Sequence, residues 1–142
     1  MTIVVDASVA LKWYQREPDS EIALVLLDSG SRMIAPDLIV AELCNAAWRL
    51  IRLRQMLVGQ MQILTDGAPR VFARLHDLGS LAPRADAIAL AVNHPAYDCF
   101  YLALSEAEDA PLITADRRLI AKVAGTPFAT RTVHLSAAAA RS

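Results

Sequence analysis

Four carboxylates stand out in this chain, Asp6, Glu42, Asp98 and Asp116, because each borders an apolar segment that a folded domain would bury. Oxygen ligands without His or Cys suit Mg²⁺ or Mn²⁺ rather than zinc. One such ion, or a pair about 4 Å apart, can activate water and offset the charge that develops on a phosphorus centre. Convergence would also be costly without a cation. Two like charges about 5 Å apart at an effective dielectric of about 20 repel by roughly 3 kcal/mol, and unrelieved repulsion moves protons onto some of the group.

Each carboxylate also has an ordinary explanation. Asp6 directly follows Ile3-Val4-Val5, and Asp116 lies one residue beyond the apolar run 111–114. Both precede helical stretches, and Asp is a favoured N-cap, so capping accounts for either as well as function does. Ser8 and Thr114 sit beside them, and their hydroxyls could cap or support a metal site. Asp98 falls early in a helix among Tyr97, Cys99, Phe100 and Tyr101. It is either a first-turn charge favoured by the helix dipole or a ligand; with Tyr101 and Leu102 at i+3 and i+4, no helical ion pair is expected. Glu42 is the most informative. It lies inside a helix, where capping is unavailable, and Leu38, Ile39, Asn45 and Ala46 offer it no cation. Either Glu42, Asn45 and Arg49 form a solvated stripe, or the carboxylate meets something positive. The ligand reading is better supported here than at the three Asp positions.

The elements that would position these groups alternate along the chain. Strands are expected at 2–5, 32–35, 111–114 and 132–135, with a weak one at 79–82. Helices are expected at 9–15, from Pro18-Asp19-Ser20 through Leu27, and at 38–54, 58–64, 68–75, 84–92, 97–107 and 117–123. Asp37 reads as the N-cap of the 38–54 helix, and residues 137–142 as a frayed tail. Alternation of this kind implies an α/β fold with a parallel sheet covered on both faces. Such sheets bind ligands beyond the carboxyl ends of their strands, where the strand order switches.

Length and composition set the remaining bounds. The 142 residues suit a single domain spanning 1–142. At 55% hydrophobic residues a substantial core is expected, and 20% charged residues is low enough to suggest a partner covering apolar surface. The net charge is −1, and setting the four carboxylates aside leaves +3, carried mostly by Arg with only Lys12 and Lys122 as lysines. Lys12, Arg16, Arg117 and Arg118 flank Asp6 and Asp116 and are candidates to contact phosphates of a bound substrate; solvated surface charge explains them equally well. His76, His94 and His134 read as surface or structural residues, and Cys44 and Cys99 as small buried hydrophobes. Trp48, Leu50, Ile51 and Leu53 make one helix apolar on more than one face, which suits a homodimer or a partner groove as well as core. Trp13 is an interface candidate with core packing as its equal. No signal peptide and no membrane span is evident, so a soluble cytoplasmic protein is expected.

The segments Ile3-Val4-Val5-Asp6-Ala7-Ser8-Val9, Pro36 through Ala41-Glu42, Tyr97-Asp98-Cys99-Phe100-Tyr101-Leu102-Ala103-Leu104 and Leu112-Ile113-Thr114-Ala115-Asp116-Arg117-Arg118-Leu119 resemble the blocks of the PIN-domain family, in the family's order. The resemblance covers nearly the whole chain and is strongest to VapC-type toxins of type II toxin–antitoxin pairs, especially across Asp6 to Trp13. It implies a three-layer α/β/α sandwich with a central parallel β-sheet, Mg²⁺ or Mn²⁺ in an acidic pocket, endoribonuclease activity, a cognate antitoxin and a homodimer. The family's acidic residues match Asp6, Glu42, Asp98 and Asp116, and its supporting threonine matches Thr114. Cys99 departs from the small residue, often Ala, at that position. Two rival readings stand beside this one. A phosphotransfer receiver or phosphatase-like α/β protein would place an acceptor Asp after the first strand, but its second Asp is Ser8 here. A non-catalytic PIN-fold binding module would keep the fold and lose the chemistry.

Overall fold

Short apolar runs form the five strands of one sheet: β1 (Thr2–Val5), β2 (Arg32–Pro36), β3 (Arg74–His76), β4 (Leu112–Thr114) and β5 (Thr132–His134). A computed structural model describes residues 1–139. All four strand pairings are parallel, in the order β3-β2-β1-β4-β5. β1 is therefore central, with Val4 registered on Ile34 to one side and Leu112 to the other. The chain fills the sheet outward from β1 in one direction and later in the other, so the strand order switches between β1 and β4. That switch opens the crevice in which parallel sheets bind ligands.

Among the described residues eight α-helices connect and cover the strands: α1 (Ala7–Ala10), α2 (Ser20–Leu27), α3 (Leu38–Arg52), α4 (Val58–Val71), α5 (Leu78–Val92), α6 (Ala96–Ala107), α7 (Arg117–Val123) and α8 (Leu135–Ala139). Every residue of β4, and all of β1 beyond Thr2, is buried, as a strand covered on both faces requires. α6 crosses β1, β2 and β4 and packs along α5, while α8 packs on β4, β5 and α2. The result is the expected α/β/α sandwich. Among the described residues no helix is long and apolar enough to cross a membrane.

The stretch between α3 and α6 departs from expectation. Residues 58–64 and 68–75 do not form two helices; α4 runs unbroken from Val58 to Val71 and contains both Gly67 and Pro69. Gly67 is tolerated because the Tyr14 side chain crosses there: a Cβ at position 67 would lie 2.6 Å from the Tyr14 hydroxyl oxygen. Pro69 lies in the last turn, and Phe72 is extended, which frees residues 74–76 to pair with β2 as β3. The weak strand expected at 79–82 is instead the first turns of α5. Asp77 caps that helix: its side chain accepts from the Ser80 amide at 3.0 Å, and the Ser80 hydroxyl donates to the Asp77 carbonyl at 2.9 Å. Gly79 and Pro83 hide the helical signal, yet the Asp-x-x-Ser cap outweighs them.

Smaller differences have equally local causes. The expected 9–15 helix is the single turn α1 followed by a 3₁₀ turn, Leu11–Trp13. Asp37 does not cap α3; its own backbone is already helical (φ −54°, ψ −24°), and its side chain makes no cap bond. Leu135 leaves the last strand to begin α8, where Leu135 and Ala138 are buried, so residues 137–139 are helix rather than frayed tail. Residues 140–142 lie outside the described residues. Trp13 belongs to the packing: its indole N–H donates to the Ala23 carbonyl at 3.0 Å and its ring lies 6.0 Å from that of Phe72.

The cap at Asp77 makes a direct test of this region. Asp77→Ala is expected to lower unfolding stability in urea by about 1 kcal/mol, while Asp77→Asn, which caps equally well, leaves it nearly unchanged.

Candidate functional site

Asp6 emerges from the carboxyl end of β1 at the switch point, and β4 delivers Thr114 beside it. The backbone there is continuous with the sheet, since the Asp6 amide donates to the Ile113 carbonyl at 3.0 Å. The Asp6 side chain does not cap α1. It turns inward, only 5% of the residue being exposed. Its Oδ2 accepts two hydroxyl hydrogen bonds at 2.7 Å, from Thr114 and from Ser8. The same hydroxyls tie the following loop: Ser8 Oγ accepts from the Ala115 amide and Thr114 Oγ1 from the Asp116 amide, both at 3.0 Å. Ser8 and Thr114 thus neither cap their own helices nor stand free. They hold one carboxylate and the β4–α7 connection together.

Burial pushes the Asp6 carboxyl up to about 6, against the pull of the Thr114 and Ser8 hydrogen bonds; the charges of Asp98 and Asp116 push it further. Glu42, on α3, is half-buried and pushed to about 7, first by burial and then by the charges of Asp6 and Asp98. These mutual influences define the site: Asp98 acts on both Asp6 and Glu42, and Asp116 acts on Asp6. All four carboxylates expected from the sequence therefore share one electrostatic neighbourhood at the carboxyl end of the sheet.

Each is held by a different partner. The expectation that Glu42 has no local cation holds, but its relief comes from a neutral donor: the Tyr101 hydroxyl donates to Glu42 Oε1 at 2.6 Å. Tyr101 comes from α6 and is fully buried. Burial, reinforced by the charges of Asp6 and Glu42, holds its phenol well above the usual range, so it stays a donor. Sequence reasoning passed over Tyr101, although its place three residues after Asp98 puts both on one side of α6. No helical ion pair serves Asp98, as expected, but a residue in the turn before α6 does reach it: His94 Nε2 lies 2.6 Å from Asp98 Oδ2. His94 is accordingly a site neighbour and not a plain surface residue. Asp116 is a genuine N-cap, its Oδ1 accepting from the Arg118 and Leu119 amides at 2.9 and 3.4 Å.

The proposed cationic rim is uneven. Arg16, Arg117 and Arg118 are exposed. Lys12 is engaged, its ammonium donating to the Pro18 carbonyl at 2.8 Å and lying 3.4 Å from Glu17, with 11% of the side chain exposed. His134, at the end of β5, lies in the field of Arg117 and Lys12; burial first, then those cations, lowers its pKa. An all-oxygen donor set with one buried and one half-buried carboxyl fits a hard divalent cation, whose charge would offset the burial and repulsion that raise Asp6 and Glu42. Among the described residues no three His, Cys, Asp or Glu side chains are grouped closely enough to hold an ion.

Comparison with known proteins agrees with the fold. Residues 3–125 match the family model described as PIN domain. Ribonuclease VapC3 of Pyrobaculum aerophilum is 30% identical over 124 residues, covering 86% of this chain and 95% of that protein. PAE2754 from Pyrobaculum aerophilum, a crystal structure, superposes with a TM-score of 0.74 at 20% identity, over 99% of this chain and 94% of that one. VapBC2 from Rickettsia felis, solved with a DNA fragment from their promoter, superposes with a TM-score of 0.63 at 15% identity, over 94% and 98%. At these identities the two structures bear on fold alone.

The raised carboxyls make stability depend on pH with a definite sign. Asp6 and Glu42 bind protons more tightly folded than unfolded, where they would titrate near 3.8 and 4.5. Their contribution favours the fold below those values and is lost as pH rises through about 6 and 7. In chelator, the melting temperature is expected to fall between pH 5 and pH 8, and Glu42→Gln to flatten that slope. Tyr101→Phe removes the bond that lowers Glu42, so it shifts the fall to higher pH. An unchanged pH profile in both variants would contradict this electrostatic account.

Proposed function

We propose, from the premise that the chain belongs to the PIN domain family, that it is a divalent-metal-dependent endoribonuclease hydrolysing RNA phosphodiester bonds in the cytoplasm, the toxin of a toxin–antitoxin pair. The observation that carries this reading is the buried Asp6 coupled to Glu42, Asp98 and Asp116 at the switch point of the sheet. The relative named Ribonuclease VapC3, matched over most of both chains, supports the activity. The VapBC2 assembly supports the search for an antitoxin partner.

In this reading Asp6, Glu42, Asp98 and Asp116 hold Mg²⁺ or Mn²⁺. When bound, such an ion activates the attacking water and offsets the charge that develops on phosphorus. The chain's own residues do the positioning. Thr114 and Ser8 fix Asp6 through Oδ2, Tyr101 fixes Glu42, and the α7 amides tether Asp116 through Oδ1. Arg16, Arg117 and Arg118 draw RNA phosphates to the mouth of an otherwise acidic pocket. Lys12 contributes less than its position in the sequence suggests, because Glu17 opposes its charge.

A partner surface lies on α3, α4 and the turn between them. Trp48, Leu53, Leu57, Val58 and Ile63 are exposed there, whereas Leu50 and Ile51 pack partly into the core. Arg52 lies over the Trp48 ring at 5.1 Å. We assign this patch to the homodimer or the antitoxin groove, since an exposed apolar cluster of this kind marks an interaction site.

Purified, antitoxin-free protein incubated with total RNA and Mn²⁺ is expected to cut at defined sites, and chelator to abolish cutting. Asp6→Asn and Asp98→Asn should each lower the rate by about a thousandfold, the equivalent of several kcal/mol of lost charge stabilisation, with the fold intact by circular dichroism. No cleavage of any RNA by the wild-type chain with Mn²⁺ would make it a binding module instead. In light scattering the wild type is expected to be a dimer at micromolar concentration, and Leu53→Glu a weaker one.

A further inference from the structure

We infer that His94 is a positioning residue for the metal site: its imidazole fixes the rotation of the Asp98 carboxylate through Oδ2 and thereby sets the site's affinity for a divalent cation. The inference rests on the metal-site reading of the acidic pocket.

His94 lies between two residues that leave the backbone little freedom. Asn93 ends α5 in the left-handed conformation (φ 52°), and Pro95 follows as the N-cap of α6. A residue before proline is restricted to extended conformations, and the His94 amide is tied back to the Ala89 carbonyl at 3.2 Å. This sharp connection between two packed helices places the imidazole over the first turn of α6, with 15% of its side chain exposed. There Nε2 meets Asp98 Oδ2 at 2.6 Å. Asp98 lies in the first turn, with 25% of its side chain exposed, so without this partner its carboxylate would be free to rotate.

The chemistry favours orientation over charge cancellation. His94 engages only Oδ2 of Asp98, and among the described residues no hydrogen bond occupies Oδ1, so the carboxylate remains available to the pocket. An N–H donor on one oxygen of a carboxylate holds the group in place and leaves the other oxygen free to meet a cation. Partners of this kind commonly tune affinity at metal sites. Here the usual order is reversed, with the histidine behind the carboxylate rather than on the ion. An imidazolium acting as a stand-in cation predicts the opposite: its removal would tighten metal binding.

Mn²⁺ titration followed by electron paramagnetic resonance on the full chain separates these outcomes. His94→Ala is expected to weaken Mn²⁺ binding by about tenfold or more, and His94→Gln, whose amide N–H can reach the same oxygen, to restore most of it. With RNA, kcat should fall in His94→Ala while KM stays close to wild type. Thermal melts in chelator confirm that both variants fold. Unchanged or tighter Mn²⁺ binding by a folded His94→Ala variant overturns the inference, and so does a His94→Gln variant no better than Ala. A wild-type chain that neither binds Mn²⁺ nor cuts RNA would instead overturn the metal-site reading beneath it.

Discussion

The buried carboxylate of Asp6 is the constraint around which the rest of this molecule is arranged. A charge at the end of the central strand is expensive to bury, and the fold meets that cost locally. Two hydroxyls donate to one oxygen of the carboxylate, and the same hydroxyls accept backbone amides from the next loop. The connections after β1 and β4 are thereby joined across the gap that the strand order opens. A parallel sheet whose order switches at β1 supplies the crevice; Ser8 and Thr114 turn that crevice into a fixed polar floor.

The three other carboxylates reach this floor by separate routes, and their routes explain which parts of the site could be read from sequence. Glu42 was legible because a mid-helix acid among apolar neighbours has no local excuse. Its actual partner, Tyr101, was not, because a buried tyrosine within an apolar helix looks like any core aromatic until tertiary packing brings α3 and α6 together. Asp98 was judged only against residues ahead of it in the helix, while its partner precedes the helix at a turn. Asp6 and Asp116 looked alike in sequence, each an Asp between strand and helix. Only geometry separates them, since Asp6 makes no cap bond and Asp116 makes two.

The fold shows the same division. Central strands buried on both faces announce themselves as apolar runs, and β1, β2 and β4 fall where expected. The edge strand β3 does not: it has three residues, Arg74, Leu75 and His76, too few for a period to show. Glycine and proline misled in both neighbouring helices. Gly67 serves a close side-chain approach rather than a break, and Pro83 lies downstream of a cap strong enough to start α5 at Leu78. The rival phosphotransfer reading fails at a single position as well, since the residue two beyond Asp6 is a serine whose hydroxyl serves Asp6 itself. The family match over residues 3–125 points the same way.

The double engagement of Asp116 has an evolutionary consequence. Its Oδ1 closes the amino end of α7 while its charge presses on Asp6. Asparagine would keep the cap and discard the charge; glutamate would keep the charge on a side chain one methylene too long for the same cap geometry. Aspartate combines the short cap with the charge that the proposed metal site would use. On that proposal neither conservative replacement at residue 116 keeps both roles, whereas Asp6 has no cap bond to lose.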